Sequence, residues 1–272
     1  MLLKNLIKDI SKDKESISIS GITSNSNEVK KNFIFFAIKG NKLNGEKFIK
    51  DAIKKGASVI ICSQNCKFKD KKIEIIKSKN IRHLLSKISS KFYKLKPKNI
   101  IAVTGTNGKT SVADFFYQLL EMNNIPVASI GTLGIKQKKR LIKTNLTSPD
   151  IITLHKNLEI LKKKKIDNVI IEASSHGLNQ KRLDNLNIKI GVFTNFSQDH
   201  LDYHKTMKAY LNSKLILFSK LLPKKSYIIS DQSIKQYKIL QEISKLKKIK
   251  LIDIKKKYHT IKNFPKPYDN SF

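Results

Sequence analysis

Only two cysteines, Cys62 and Cys66, occur among the 272 residues. No second ligand pair accompanies their C-x-x-x-C spacing, so a metal site is not indicated and both are expected to be ordinary reduced thiols. Apolar runs long enough to cross a bilayer are missing too, and charge interrupts the N-terminal "MLLKNLIKDISKDKES" in a way a signal peptide does not tolerate. The expectation is a cytoplasmic protein with no membrane contact. Acidic side chains are scarce, 21 against 55 lysines and arginines, for a formal net charge of +34. That excess attracts anions, yet the lysines are spread along the whole chain with abundant Ile and Asn. No basic stripe interleaved with aromatics and no RNA-binding signature stands out, so a diffuse bias is expected and no specific nucleic-acid partner. No repeat or low-complexity tail is present. The length and the 40% hydrophobic content allow one large domain or two ordinary ones with a real core.

What is present alternates. "NFIFFAIKG" has the pattern of a strand, "GEKFIKDAIKKGA" of an amphipathic helix and "SVIICS" of a second strand, which makes a small α/β unit. "IRHLLSKISSKFYKL" is helical by the spacing of Leu85, Ile88 and Phe92, and "KPKN" then marks a turn or linker. The domain boundary is placed there, with residues 1–96 before it and 97–272 after it. From Asn99 the order becomes strand, glycine turn, helix, with strands at "NIIAVT", "PVASIG", "NVIIEAS", "KIGVFTN", "SYIIS" and "IKLIDI". This predicts a parallel sheet covered by helices on both faces, with ligands outside the C-terminal strand ends. The final "NFPKPYDNSF" has the composition of a loop.

Three stretches carry chemistry. The first is "IAVTGTNGKTS", close to the phosphate-loop pattern G-x-x-x-x-G-K-[ST] but with Val103 where that pattern has glycine. Gly105, Thr106, Asn107 and Gly108 lie between a strand and a helix start, where backbone N–H groups and the helix dipole favour a phosphate. Lys109 adds a full charge, Thr110 a hydroxyl suited to Mg²⁺, and Ser111 follows. A plain glycine turn is the alternative, and the lysine-threonine pair argues against it. The second stretch, "IIEASSHGLNQKR", delivers Glu172 to a strand end, where a carboxylate can help hold Mg²⁺. The bland alternatives are a surface carboxylate for Glu172 and a capped helix start for Ser174, Ser175 and His176. A Ser-His hydrolase would need the missing G-x-S-x-G elbow. The third, "VFTNFSQDHLDYH", gathers Asp199, His200, Asp202 and His204, a metal or acid-base candidate. Its H-x-x-x-H lacks the glutamate of zinc proteases. Beyond it Lys214 sits among apolar neighbours, where a snorkelling lysine is the ordinary reading.

Taken together and in this order, "TGTNGKTS", "TSPD", "EASSHGL" and "FTNFSQDHLDYH" resemble the Mur ligase family of peptidoglycan synthesis, most closely its members that extend UDP-N-acetylmuramoyl-L-alanyl-D-glutamate by a third amino acid. "TSNSNEVKKNFIFFAIKGNKLNGEKFIKDAIKKGASVII" resembles the family's UDP-binding domain, so the likeness spans most of residues 20–220. The family's short motif G-T-N-G-K-T dispenses with the glycine that Val103 replaces. The resemblance implies a small N-terminal α/β domain, a parallel-sheet central domain that is incomplete here, and a C-terminal amino-acid-binding domain that this sequence does not include. It implies a monomeric ADP-forming ligase working through an acyl phosphate, with ATP and Mg²⁺ as cofactors and diaminopimelate or lysine as the amino acid. Residues 105–111 would hold the ATP phosphates. Thr110, Glu172, His200 and a carbamylated Lys214 would hold magnesium, with Lys109, His200 and Lys214 as the catalytic set. Ser26, Thr147, Ser148, Ser174, Gln180 and Arg182 would grip the UDP-muramoyl peptide. The family's usual Asp-Ser-Arg is Asn25-Ser26-Asn27 here, and Ser148 stands for a threonine. The chain alone is expected not to turn over. Another ligase of the superfamily, such as one adding glutamate to folate, and a non-catalytic polyanion-binding remnant are the alternatives.

Overall fold

The computed structural model describes residues 1–8, 10–40, 43–138, 140–144 and 146–258. Up to Lys96 the chain runs α1 (Leu3–Leu6), β1 (Gly21–Thr23), β2 (Phe33–Phe36), α2 (Ile49–Lys54), β3 (Ala57–Ser63), β4 (Glu74–Ser78) and α3 (Ile81–Phe92). It continues through β5 (Asn99–Thr104), α4 (Lys109–Met122), β6 (Val127–Gly131), β7 (Gly134–Gln137), β8 (Arg140–Ile142), α5 (Ile151–Lys163), β9 (Asn168–Glu172) and α6 (Ser175–Asn179). Then come β10 (Ile190–Phe193), α7 (Leu201–His204), α8 (Met207–Ile216), β11 (Tyr227–Ser230), α9 (Tyr237–Lys247), β12 (Lys250–Asp253) and α10 (Ile254–Tyr258). The terminal proline-rich stretch expected to be a loop lies outside the described residues. Among those residues no helix is long and apolar enough to cross a membrane.

Two units separate by contact density: Met1–Lys96 with Pro149–Lys164 and Gln180–Leu186, and Pro97–Ser148 with Lys165–Asn179 and Asn187–Phe272. The first holds a four-stranded parallel sheet in the order β1-β2-β3-β4. Side chains of a strand alternate between faces, and here both faces are covered. Ile34, Phe36, Val59 and Ile61 pack with Leu3, Leu6, Leu85, Ile88 and Ile151 on one side. Phe35, Ala37, Ile60 and Cys62 pack with Ile49, Ala52 and Cys66 on the other. That double burial is why "FIFFA" and "VIIC" are unbroken apolar runs. Both cysteines are free thiols, and burial pushes that of Cys62 up to about 12.

The second unit is built on an eight-stranded sheet in the order β12-β11-β10-β5-β9-β6-β7-β8. Its first six strands form the expected parallel sheet, and β7 and β8 are antiparallel additions at one edge that the sequence reading did not include. The turn Thr132–Leu133 is too short for a crossover and can only return the chain antiparallel. The strand β5 lies centrally, with β9 on one side and β10 on the other. This is where strand order reverses and where open α/β sheets place their ligands.

Candidate functional site

At the end of β5 the chain turns sharply, and Gly105 fits because a Cβ there would run into Thr194 Oγ1. The segment after β10 then fixes the loop. The Thr106 amide donates to the Asn195 carbonyl at 3.0 Å, the Asn107 amide to Asn195 Oδ1 at 2.9 Å, and the Ser197 amide to Thr106 Oγ1 at 3.0 Å. Gly108 takes a left-handed φ of 79° and precedes α4 without a side-chain cap, so the first-turn N–H groups point out unclaimed by one. Lys109 Nζ donates to the carbonyls of Gly105 at 3.0 Å and Thr106 at 2.7 Å. Burial lowers its pKa, while Glu172 and Asp199 pull in the opposite direction.

Beside the loop, β9 ends at Glu172, only 2% exposed. Its Oε1 accepts from the Thr132 amide at 2.9 Å and its Oε2 from the Thr110 hydroxyl at 2.9 Å, with Thr132 Oγ1 3.1 Å away. Gly131 leaves room for that carboxylate, because any Cβ at 131 would overlap it. All these donors are neutral. A buried carboxylate with only neutral donors, next to a threonine hydroxyl and a phosphate loop, is the donor chemistry magnesium takes, since it uses one or two carboxylates and completes its shell with phosphate oxygens and water. Among the described residues no group of three or more His, Cys, Asp or Glu is placed to hold a metal by itself.

Opposite Glu172, Lys214 rises from α8 and is 1% exposed, so it does not snorkel as its sequence context suggested. Its Nζ donates to the same Gly105 carbonyl at 2.7 Å and lies 4.4 Å over the Tyr210 ring. Burial first, and Lys109 second, bring its pKa down to about 7, against the pull of Asp199. His200 has a left-handed φ of 52°, and Asp199 accepts its amide at 2.8 Å with Oδ2 3.4 Å from His200 Nε2. The rings of His200 and His204 both lie beside that of His176, at 5.0 and 5.5 Å. Burial, then His176, His200 and Lys214, lower the pKa of His204.

One cavity of about 290 Å³ brings together Thr106 to Ser111, Thr132, Thr147, Glu172, Ser174, Ser175, His200 and Lys214. Ser148 is enclosed instead. Its hydroxyl donates to the Glu172 carbonyl at 2.8 Å and accepts from the Ser174 amide at 3.0 Å, so it ties the 147–148 segment to the end of β9 and sets Ser174. Ser26, Gln180 and Arg182 belong to the first unit, where Arg182 donates to Gln180 Oε1 at 2.7 Å. Sequence reasoning left out Thr132, whose contact with Glu172 comes from a turn without any motif, and it named Asp199 only within the His/Asp cluster, without its pull on Lys109 and Lys214.

Residues 103–268 match the Mur ligase middle domain, and residues 18–93 match the Mur ligase family catalytic domain. The UDP-N-acetylmuramoyl-L-alanyl-D-glutamate-2,6-diaminopimelate ligase of Brucella melitensis is 42% identical over 208 residues, 76% of this chain and 43% of that protein. The ligase of the same name from Zymomonas mobilis is 37% identical over 254 residues, 93% of this chain and 52% of its own. A solved structure of such a diaminopimelate ligase superposes with a TM-score of 0.81 at 25% identity, over 93% of this chain and 52% of that one. The MurF ligase of Thermotoga maritima in complex with ADP shares the fold, with a TM-score of 0.57 at 19% identity over 85% of this chain and 49% of that one. The chain spans about half the length of the curated relatives it matches.

Proposed function

Because the chain belongs to the Mur ligase family, we propose that its two units are the nucleotide-sugar-binding and ATP-binding parts of a ligase that joins diaminopimelate to UDP-N-acetylmuramoyl-L-alanyl-D-glutamate. The observation that carries this reading is the cavity in which the phosphate loop, Lys109, buried Glu172 and buried Lys214 face one another. The choice of diaminopimelate over lysine rests on the names of the relatives.

In such a reaction the D-glutamate carboxylate takes the γ-phosphoryl group of ATP and ADP leaves. The amine of the amino acid then attacks the acyl carbon, loses a proton and expels phosphate. The obstacle is electrostatic, an anion approaching a polyanion. The loop amides and the α4 dipole would hold the phosphates, and Lys109 would leave its two carbonyl contacts to meet them. Each such contact is worth on the order of 3 kcal/mol in the transition state. Thr110, Glu172, His200 and a carbamylated Lys214 would hold magnesium, which when bound would neutralise phosphate charge.

Carbamylation needs a neutral amine. With its pKa near 7, Lys214 offers one at neutral pH; carbon dioxide would add to that nitrogen with loss of one proton, leaving a carbamate anion. Thr147 and Ser174 would meet the peptide end of the substrate, while Ser26, Gln180 and Arg182 would hold its UDP-sugar. The test uses a chain of the relatives' length that carries these units. ADP release should require both the muramoyl dipeptide and diaminopimelate. Equal release with lysine in place of diaminopimelate would overturn the amino-acid assignment, and equal release without the dipeptide would overturn the ligase reading.

A further inference from the structure

The first unit contains a cavity of its own, about 450 Å³, between the loop that follows β1 and the start of α3. Ile38, Leu43 and Phe48 form an apolar wall, and Ser26 and Asn27 form a polar rim. Arg82 is the one charged side chain among the described residues that line it. We propose that Arg82 is the phosphate-binding cation of this unit, holding the diphosphate of a nucleoside diphosphate whose base lies against Phe48. The inference rests on the reading of the first unit as a nucleotide-sugar binder and adds to it the residue that neutralises the anion.

Several observations single out Arg82. It is half-buried and makes no hydrogen bond or ion pair with the described residues, although a guanidinium has five N–H groups to satisfy. Three other charged groups near the rim are engaged elsewhere. Lys55 Nζ donates to the Ser26 carbonyl at 3.1 Å and to Asn27 Oδ1 at 3.0 Å. Glu28 accepts from the Thr23 hydroxyl at 3.1 Å and the Asn25 amide group at 3.2 Å. Glu46 accepts from the Ser63 amide at 3.1 Å. Nor is the α3 N-terminus open to an anion, since Asn80 Oδ1 accepts from the His83 amide at 3.1 Å. Asn25 and Asn27, which flank Ser26, bring no charge. Among the described residues, then, a guanidinium without a partner stands at one end of a cavity that an aromatic ring and an unpartnered Ser26 hydroxyl also line. A planar fork matches two phosphate oxygens, as a lysine point charge does not.

Titration calorimetry of the whole chain with UDP, UMP and uridine tests this. In the wild type, affinity should rise from uridine through UMP to UDP. Arg82→Ala should weaken UDP about ten- to a hundred-fold while leaving uridine unchanged. Arg82→Lys should fall between the two, and ADP binding at the phosphate loop should stay at the wild-type value in both. Lys87→Ala, an exposed cation on the same helix, controls for diffuse charge. UDP affinity unchanged in Arg82→Ala, or lowered equally by Lys87→Ala, overturns the role of Arg82 and leaves the nucleotide-sugar reading intact. A wild type that binds none of the uridine compounds overturns that reading and the inference with it. If the alanine variant loses its thermal transition, Arg82→Lys decides, and wild-type UDP affinity there counts against the proposal.

Discussion

Replacing Lys214 with methionine should stabilise the second unit. The lysine is enclosed and its pKa sits at about 7 where 10.5 is ordinary, so folding forces a proton off an amine that would otherwise keep it. One pKa unit is worth about 1.4 kcal/mol, so the penalty, about 5 kcal/mol at low pH, is still about 4 kcal/mol at pH 7, where the folded amine is half-protonated. Methionine gives up the amine's hydrogen bond to the Gly105 carbonyl, but that oxygen still accepts from Lys109 at 3.0 Å and is not orphaned. Subtracting about 1–2 kcal/mol for the lost contact leaves a net gain of about 3 kcal/mol. The sign with pH follows from linkage. Between 7 and 10.5 the unfolded chain carries a proton that the folded chain does not, so wild-type stability climbs by about 1.4 kcal/mol per pH unit across that window and is level below it. The methionine variant lacks the climb. Urea unfolding followed by circular dichroism at pH 7, 8 and 9, in carbonate-free buffer with chelator, should show the advantage of the variant shrinking as pH rises. A difference that stays constant with pH, or a variant less stable at pH 7, would refute the reasoning.

Glu172→Ala and Lys109→Ala, each in a chain of the relatives' length, should lower ligation about a hundred-fold or more with little change in the thermal transition; near-wild-type rates would remove both residues from the proposed machinery. With ¹³C-bicarbonate, a carbamate signal should appear that Lys214→Met abolishes and Lys109→Gln diminishes, because without Lys109 the amine keeps its proton more tightly. A wild-type signal in Lys109→Gln would count against that coupling. In the first unit His155 is fully enclosed, and burial, followed by Lys96, pushes its pKa down to about 3. Its stabilising neutral form is secure above 6.5, and stability should fall by about 1.4 kcal/mol per pH unit as the solution is acidified from 6.5 toward 3. His155→Gln should remove about 2 kcal/mol of the loss measured between pH 6.5 and 5, and parallel acid profiles would sink the assignment.

Strands buried on both faces announce themselves, and "NIIAVT" and "NVIIEAS" were legible as β5 and β9 for that reason. The edge strands were not. β7 includes Lys136 and Gln137, and β8 is wholly exposed, so neither shows an apolar run or a clean alternation. The helical pattern of α5 was readable, but its membership in the first unit was not, because that depends on Ile151 packing with residues as distant as Leu3. At the site, Lys109, Thr110 and Glu172 were visible because strand ends and glycine turns advertise them. Lys214 was visible only as an oddity, since helical spacing cannot distinguish a snorkelling lysine from one enclosed beneath a loop. Arg82 was invisible among 55 cations; its distinction is a lack of partners, a property of the folded chain.

The two lysines of the cavity share one oxygen, the Gly105 carbonyl, at 3.0 and 2.7 Å. Their nitrogens therefore lie within about 6 Å of each other, where two like charges repel by about 3 kcal/mol at an effective dielectric near 20. Glu172 and Asp199 offset part of this for Lys109, but for Lys214 the repulsion is second only to burial. Two changes would relieve it. Lys109 can swing onto an incoming phosphate, or Lys214 can exchange its positive charge for a negative one. On the proposed reading a ligase needs both, and the same strain favours each: the crowding that makes Lys214 a poor cation leaves its nitrogen free to react, and the crowding that confines Lys109 to backbone carbonyls readies it for a triphosphate. The +34 charge of the chain brings anions to the surface in general. On the proposed reading, selection for a phosphate at this point comes from a few groups arranged so that, without one, their charges are poorly matched.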